Sequence, residues 1–187
     1  FVPMRLADAL RQARNSDGRP LVQSEQELLP HRIDPEPKEF ARRWWPWLLC
    51  GLVIAAGVLA LRNRPRLLAG LALPFWLLCA LFGGVLVFLW GFSIHYAAWA
   101  NRNLLLLSPL AVLLLPGAIA LLRRRVPGRM FRIVLRLLAV QAVAALVLHW
   151  LSLQPQYNVQ WIVLLLPVHV ALAWVLARCP HLSETRP

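Results

Sequence analysis

Two short stretches gather hydrogen-bonding side chains in an otherwise apolar region. They are His95, Tyr96, Trp99, Asn101, Arg102 and Asn103, and then His149, Gln154, Gln156, Tyr157, Asn158 and Gln160. Amides and neutral imidazoles can hold ester carbonyls or phosphate oxygens without the cost of burying a full charge. The same residue types also cap helix ends and close loops. Both readings apply to each of these residues, so the cluster is a candidate for positioning a lipid or substrate, with helix capping as its alternative. It has no means of catalysis of its own. No Asp or Glu lies between Trp44 and Ala177, and Cys50 and Cys79 sit inside apolar runs. No spacing suits a metal, a general acid/base pair or a nucleophilic triad. No catalytic residue, metal or cofactor is therefore expected. Cys179 follows Arg178 and is either an acylation site or a plain interfacial thiol.

Two further polar residues fall inside apolar runs. His169 lies roughly 14 Å along a helix from Gln160, near the middle of its run. It is either a functional group or a neutral histidine bonded to a carbonyl that Pro167 frees. Gln141 is expected to make an interhelical hydrogen bond, and Arg136 to extend its head towards the interface.

The elements that must carry these groups are membrane helices. A hydrocarbon layer about 30 Å thick takes about 20 apolar residues per crossing and admits only backbone that pairs its own hydrogen bonds. Apolar runs at 44–61, 67–94, 104–122, 135–153 and 159–177 predict an all-α, polytopic bundle of five transmembrane helices within 41–179, ahead of a cytosolic tail at 180–187. The second run is overlong, and is expected to tilt or to break near Pro74 or at Gly83 and Gly84. Gly51 and Ala55 have a small-xxx-small spacing that admits a close helix neighbour.

Charge sets the orientation. One side of the five runs receives nine basic residues (Arg62, Arg64, Arg66, Arg123, Arg124, Arg125, Arg129, Arg132, Arg178) and the other four (Lys38, Arg42, Arg43, Arg102). The positive-inside rule then puts the amino terminus and both polar stretches outside and the carboxyl terminus in the cytosol. Trp44, Trp45, Trp47, Trp90, Trp99, Trp150 and Trp161 all fall at that outer interface, where an amphipathic ring is at home. The formal charge of +12 alone points towards nucleic acid, but the arginines sit in short loops beside apolar runs and no compact basic domain exists to carry such binding.

Residues 1 to 40 hold seven of the eight acidic residues and too few apolar ones for a core of their own. They are expected to form a short helix, a turn at Asn15 to Gly18, a strand near Leu21 and Val22, and a linker marked by Pro30, Pro35 and Pro37. No basic stretch with an apolar core opens the chain, so no signal peptide is read, and this segment reads as the end of a truncated domain.

The stretch GGVLVFLWGFSIHYAAWANRNLLLLSPLAVLLLP at 83–116 resembles the membrane region of the Lnb-like lipoprotein N-acyltransferase family, through His95, Asn101, Asn103 and Pro109. QPQYNVQW at 154–161 is a second match, and PMRLADALRQA followed by RPLVQ is similar to the end of that family's periplasmic domain. The resemblance implies a bacterial inner-membrane protein whose partners are membrane lipids, lipoproteins and its own upstream periplasmic domain. It further implies an activity that moves an acyl chain from a lipoprotein's diacylglyceryl group to its amino-terminal cysteine amine. The catalytic groups would belong to the periplasmic domain. Two other functions fit the residues: a purely structural anchor, and a small transporter or channel subunit using His169 and Gln141 as a polar path.

Topology reporters fused at residues 100 and 156 are expected to report an outside location, and those at 64 and 125 a cytosolic one. The reverse pattern would overturn the orientation.

Overall fold

The computed structural model describes residues 6, 9–26, 43–94, 99–151 and 156–178. The chain divides into two compact units, Phe1–Arg42 and Arg43–Pro187.

In the smaller unit, helical residues 9–12 lead into a tight turn. Asn15 Oδ1 accepts from the backbone N–H of Asp17 and of Arg19 at 3.0 and 2.8 Å, and Gly18 adopts the φ of 76° that closes the turn. The expected strand at Leu21 and Val22 is absent. A single bridge between Arg14 and Pro20 takes its place, since Pro20 has no N–H with which to extend a ladder. Arg11 holds Glu25 through two side-chain hydrogen bonds, which keep that carboxyl below its ordinary range. The Pro-rich linker lies outside the described residues.

The larger unit is helical. Its elements are α1 (Trp45–Ala60), α2 (Pro65–Phe92), an irregular third crossing, α4 (Arg129–Leu151) and α5 (Val159–Leu176). The third crossing is built from two 3₁₀ segments, Arg102–Leu105 and Pro109–Leu114, followed by the short α3 (Leu115–Leu122). Four crossings are long and apolar enough to span a bilayer, and α1 is a shorter apolar helix. Exposed large apolar side chains such as Leu52, Leu71, Phe82, Phe88 and Val140 cover the outside. So wide an apolar surface is stable only against lipid, so the chain is a multi-pass membrane protein.

Of the two expectations for the second crossing, a tilt or a break, the break is absent: it is one helix of 28 residues, about 42 Å long, and accommodates Pro74 within it. Two other crossings differ from the sequence expectation. The fourth begins at Arg129 rather than 135, because Arg129, Arg132 and Arg136 interrupt the apolar run without breaking the helix that buries Phe131, Val134 and Leu135. The third crosses largely without α-helix.

α5 is the most enclosed element, packing chiefly on α1 and then on α4. α2 packs on the third crossing, and α4 on its two 3₁₀ segments. Although joined by a short turn, α1 and α2 have little direct contact. Trp76 of α2 is fully buried and meets Phe131 edge-on, with ring centroids 5.7 Å apart at 84°.

Glycines set the closest approaches. A Cβ on Gly51 would lie 2.5 Å from the carbonyl oxygen of Leu164 and 2.7 Å from that of Val163. Val163 is four residues before Pro167, whose missing N–H leaves the Val163 carbonyl without its helical partner. Gly51 therefore lets α1 lie against the α5 backbone where proline has opened it. Gly83 admits the Leu107 carbonyl and Pro109 in the same way, and Gly117 lies under the Phe131 ring.

Gly51→Ala is expected to destabilise the detergent-solubilised protein by about 1–3 kcal/mol, as overpacking does. Gly84→Ala should leave the melting temperature almost unchanged, since a Cβ there meets nothing within 4 Å. Equal effects of the two substitutions would refute the close α1–α5 contact.

Candidate functional site

The two polar stretches meet at one end of the bundle. Asn101 precedes the first 3₁₀ segment, and its Oδ1 accepts from the Asn103 backbone N–H at 3.0 Å. The loop before α5 lies against it. Gln156 Nε2 donates to Asn101 Oδ1 at 3.0 Å, and the Arg102 backbone N–H donates to Gln156 Oε1 at 2.9 Å. Asn158 Nδ2 then donates to Asn103 Oδ1 at 3.0 Å, and the Asn158 carbonyl accepts from the N–H groups of Trp161 and Ile162 at the start of α5. Asn158 is only 3% exposed. Four amides separated by about fifty residues of sequence thus form one staple, with each side-chain oxygen of Asn101, Asn103 and Gln156 engaged.

Ala100 leads into this staple with a φ of 51°. A side chain in that left-handed region costs about 1–2 kcal/mol, so the hydrogen bonds that follow must hold it there. The Arg102 guanidinium reaches back towards the carbonyl of Leu148 at 3.4 Å, linking the staple to the end of α4.

Deeper in the bundle, His169 Nε2 lies 2.9 Å from the carbonyl oxygen of Leu106. A carbonyl only accepts, so Nε2 carries the proton and donates. Leu106 sits at the break between the two 3₁₀ segments, where its carbonyl has no helical partner. His169 is buried at 3% exposure, with its ring centroid 5.3 Å from that of Phe75. The carbonyl it satisfies therefore belongs to a neighbouring crossing and not, as the sequence suggests, to the segment loosened by Pro167. Ser108 completes the repair: its Oγ accepts from the Leu110 N–H at 3.4 Å. Sequence reasoning missed Ser108, although the Ser108-Pro109 pair is a turn signal that could have found it.

The other expected residues divide cleanly. The structure brings Asn101, Asn103, Gln156 and Asn158 together. Trp99 and Tyr157 flank that staple and are exposed, Tyr157 at 86%, and His149 packs edge-on to Trp150 near the end of α4. His95, Tyr96 and Gln154 lie outside the described residues. Gln141 does not make the expected bond through its oxygen: Oε1 is buried with no donor in reach. Among the described residues His169 is bonded to the Leu106 carbonyl, and no direct hydrogen bond joins it to Gln141.

The comparisons with known proteins agree with this architecture. The family model for the Lnb transmembrane domain, a five-helix unit, matches residues 43–179. That match covers most of the chain, and the chain belongs to this family. No curated protein and no solved structure matches it.

A double-mutant cycle of Asn103→Ala and Asn158→Ala, read by thermal unfolding in detergent, should give a coupling of about 0.5–3 kcal/mol. Strictly additive losses would mean that the two amides do not act together.

Proposed function

We propose that this chain, as a member of the Lnb transmembrane-domain family, is the membrane-anchoring and lipid-positioning module of a lipoprotein N-acyltransferase-like protein of the bacterial inner membrane. In this reading residues 1–42 face the periplasm and join the helices to a periplasmic catalytic domain, and the carboxyl terminus is cytosolic. The partners are membrane lipids, lipoproteins and that domain. The reaction breaks an acyl ester of the lipoprotein's diacylglyceryl group and forms an amide at its amino-terminal cysteine. The proton that the cysteine amine loses ends on the released glyceryl oxygen, which leaves as a hydroxyl, and the nucleophile belongs to the periplasmic domain.

The observation that carries this reading is the staple itself. The side-chain oxygens of Asn101, Asn103 and Gln156 are taken up by amide and backbone donors within the staple, so the side chains it displays are the ones that can meet a lipid. Tyr157 stands between two staple residues and points outward. Trp99 lies two residues before Asn101, and His149 is one position beyond the carbonyl that Arg102 reaches. A rigid rim of aromatic, imidazole and guanidinium groups at headgroup depth suits ester and phosphate oxygens, and its ordering is complete before any lipid arrives. His95 and Gln154 remain candidates for the same role from the sequence. A plain anchor is the second reading, favoured by the mutual satisfaction of the amides.

The test uses Tyr157→Ala and His149→Ala in the full-length protein, with lipoprotein N-acylation measured by mass spectrometry. Positioning predicts a several-fold fall at normal protein levels. Unchanged acylation, together with full activity when an unrelated membrane span replaces 43–179, would leave only the anchor.

A further inference from the structure

The gap between α1 and α2 is a groove. It has a volume of about 340 Å³ and is open along one side. All twelve of its lining residues are apolar; Gly57 and Leu61 come from α1 and its turn, Leu71 and Phe75 from α2, and Leu164 and Leu172 from α5. Its depth follows from the residue numbers. On α2 it runs from Leu68 to Phe75, about 10 Å, with its far end about 15 Å from the helix start at Pro65, and on α5 from Leu172 back to Leu164, about 12 Å. Half of a hydrocarbon core is about 15 Å, so the groove takes up most of one leaflet.

The turn at one end of the groove is charged. Leu61 opens the turn that carries Arg62, Arg64 and Arg66, all exposed. Arg66 Nε donates to the carbonyl of Leu122 at 3.3 Å, which brings the Arg123, Arg124 and Arg125 run beside the same end. No carboxylate between residues 44 and 177 neutralises them. A single apolar slot that takes up most of one leaflet beside a cationic turn has the shape and charge of one molecule: an anionic phospholipid with one acyl chain between the helices and its phosphate at the arginines.

We propose that the α1–α2–α5 groove is a binding site for an anionic phospholipid of the arginine-bearing leaflet. Such a lipid fills the space that the sparse α1–α2 contact leaves, and so supports the packing of α1 on α5. The site lies at the opposite end of the bundle from the amide staple and is independent of any role in acyl transfer, so the two can fail separately.

The test is native mass spectrometry of the protein offered equal amounts of dioleoyl phosphatidylglycerol and dioleoyl phosphatidylcholine. Phosphatidylglycerol should be retained roughly fivefold or more over phosphatidylcholine. Arg62→Gln with Arg64→Gln should abolish that preference while both lipids still bind. Gly57→Phe should lower retention of both lipids, because Gly57 lines the groove and an added Cβ meets nothing within 4 Å. Leu71→Trp, from the exposed side of α2, should do the same and covers the case in which Gly57→Phe does not fold. Equal retention of the two lipids, or a preference that survives the arginine substitutions, overturns the proposal.

Discussion

A bilayer core offers no water, so every backbone N–H and C=O within it must find a partner inside the protein. Four crossings meet that demand by being α-helices. The third does not, and much of the rest of the bundle is arranged around its exceptions. Its first 3₁₀ segment is tied at the start by Asn101 and Asn103, its break is repaired by His169 on the Leu106 carbonyl, and its second segment is capped by Ser108. Each donor or acceptor comes from the segment itself or from α5 and the loop before it. This explains why polar residues occur in so apolar a chain where they do, while the enclosure of α5 comes from its packing on α1 and α4. The amides that look like a binding site are, first, the partners that an irregular backbone requires.

Proline and glycine solve a related problem by closeness. Within a helix a proline leaves the carbonyl four residues earlier unpaired. In α5 that carbonyl is Val163, and it is met by Gly51, a position at which no Cβ holds α1 away. Between α2 and the third crossing, Gly83 faces Leu107 and Pro109, again a carbonyl at a break and again a residue without a side chain. The short apolar α1 gains much of its stability from this contact, because lipid tails compete on equal terms with ordinary apolar side chains for any looser interface.

What was legible in the sequence follows from which constraints are local. Apolar length is local, so five crossings, their order and most of their ends could be read from composition, as could the meeting of Asn101 and Asn103 with Gln156 and Asn158 at a shared end. The small-residue spacing at Gly51 and Ala55 also pointed to packing, and both are buried. The conformation of the third crossing could not be read, because Leu104 to Leu114 is as apolar as a helix and its 3₁₀ geometry depends on partners some fifty or sixty residues away. For the same reason His169 pointed to the wrong carbonyl: its true partner, Leu106, is adjacent only after folding. The start of α4 was obscured by arginines that a helix end tolerates once their heads reach the interface.

The two ends of the bundle thus follow opposite electrostatic rules, and the difference has structural consequences. At the staple end, neutral amides and backbone N–H groups satisfy one another within the chain. At the arginine end no acidic side chain between residues 44 and 177 answers the clustered guanidinium groups, and the helices there, α1 and α2, have little direct contact. Like charges crowded onto short turns repel one another, and packing alone gives those turns little to resist with. With an anionic lipid in the proposed groove, cohesion at the arginine end would vary with the headgroup charge of the surrounding lipids, while the staple, held by bonds within the chain, would keep its geometry.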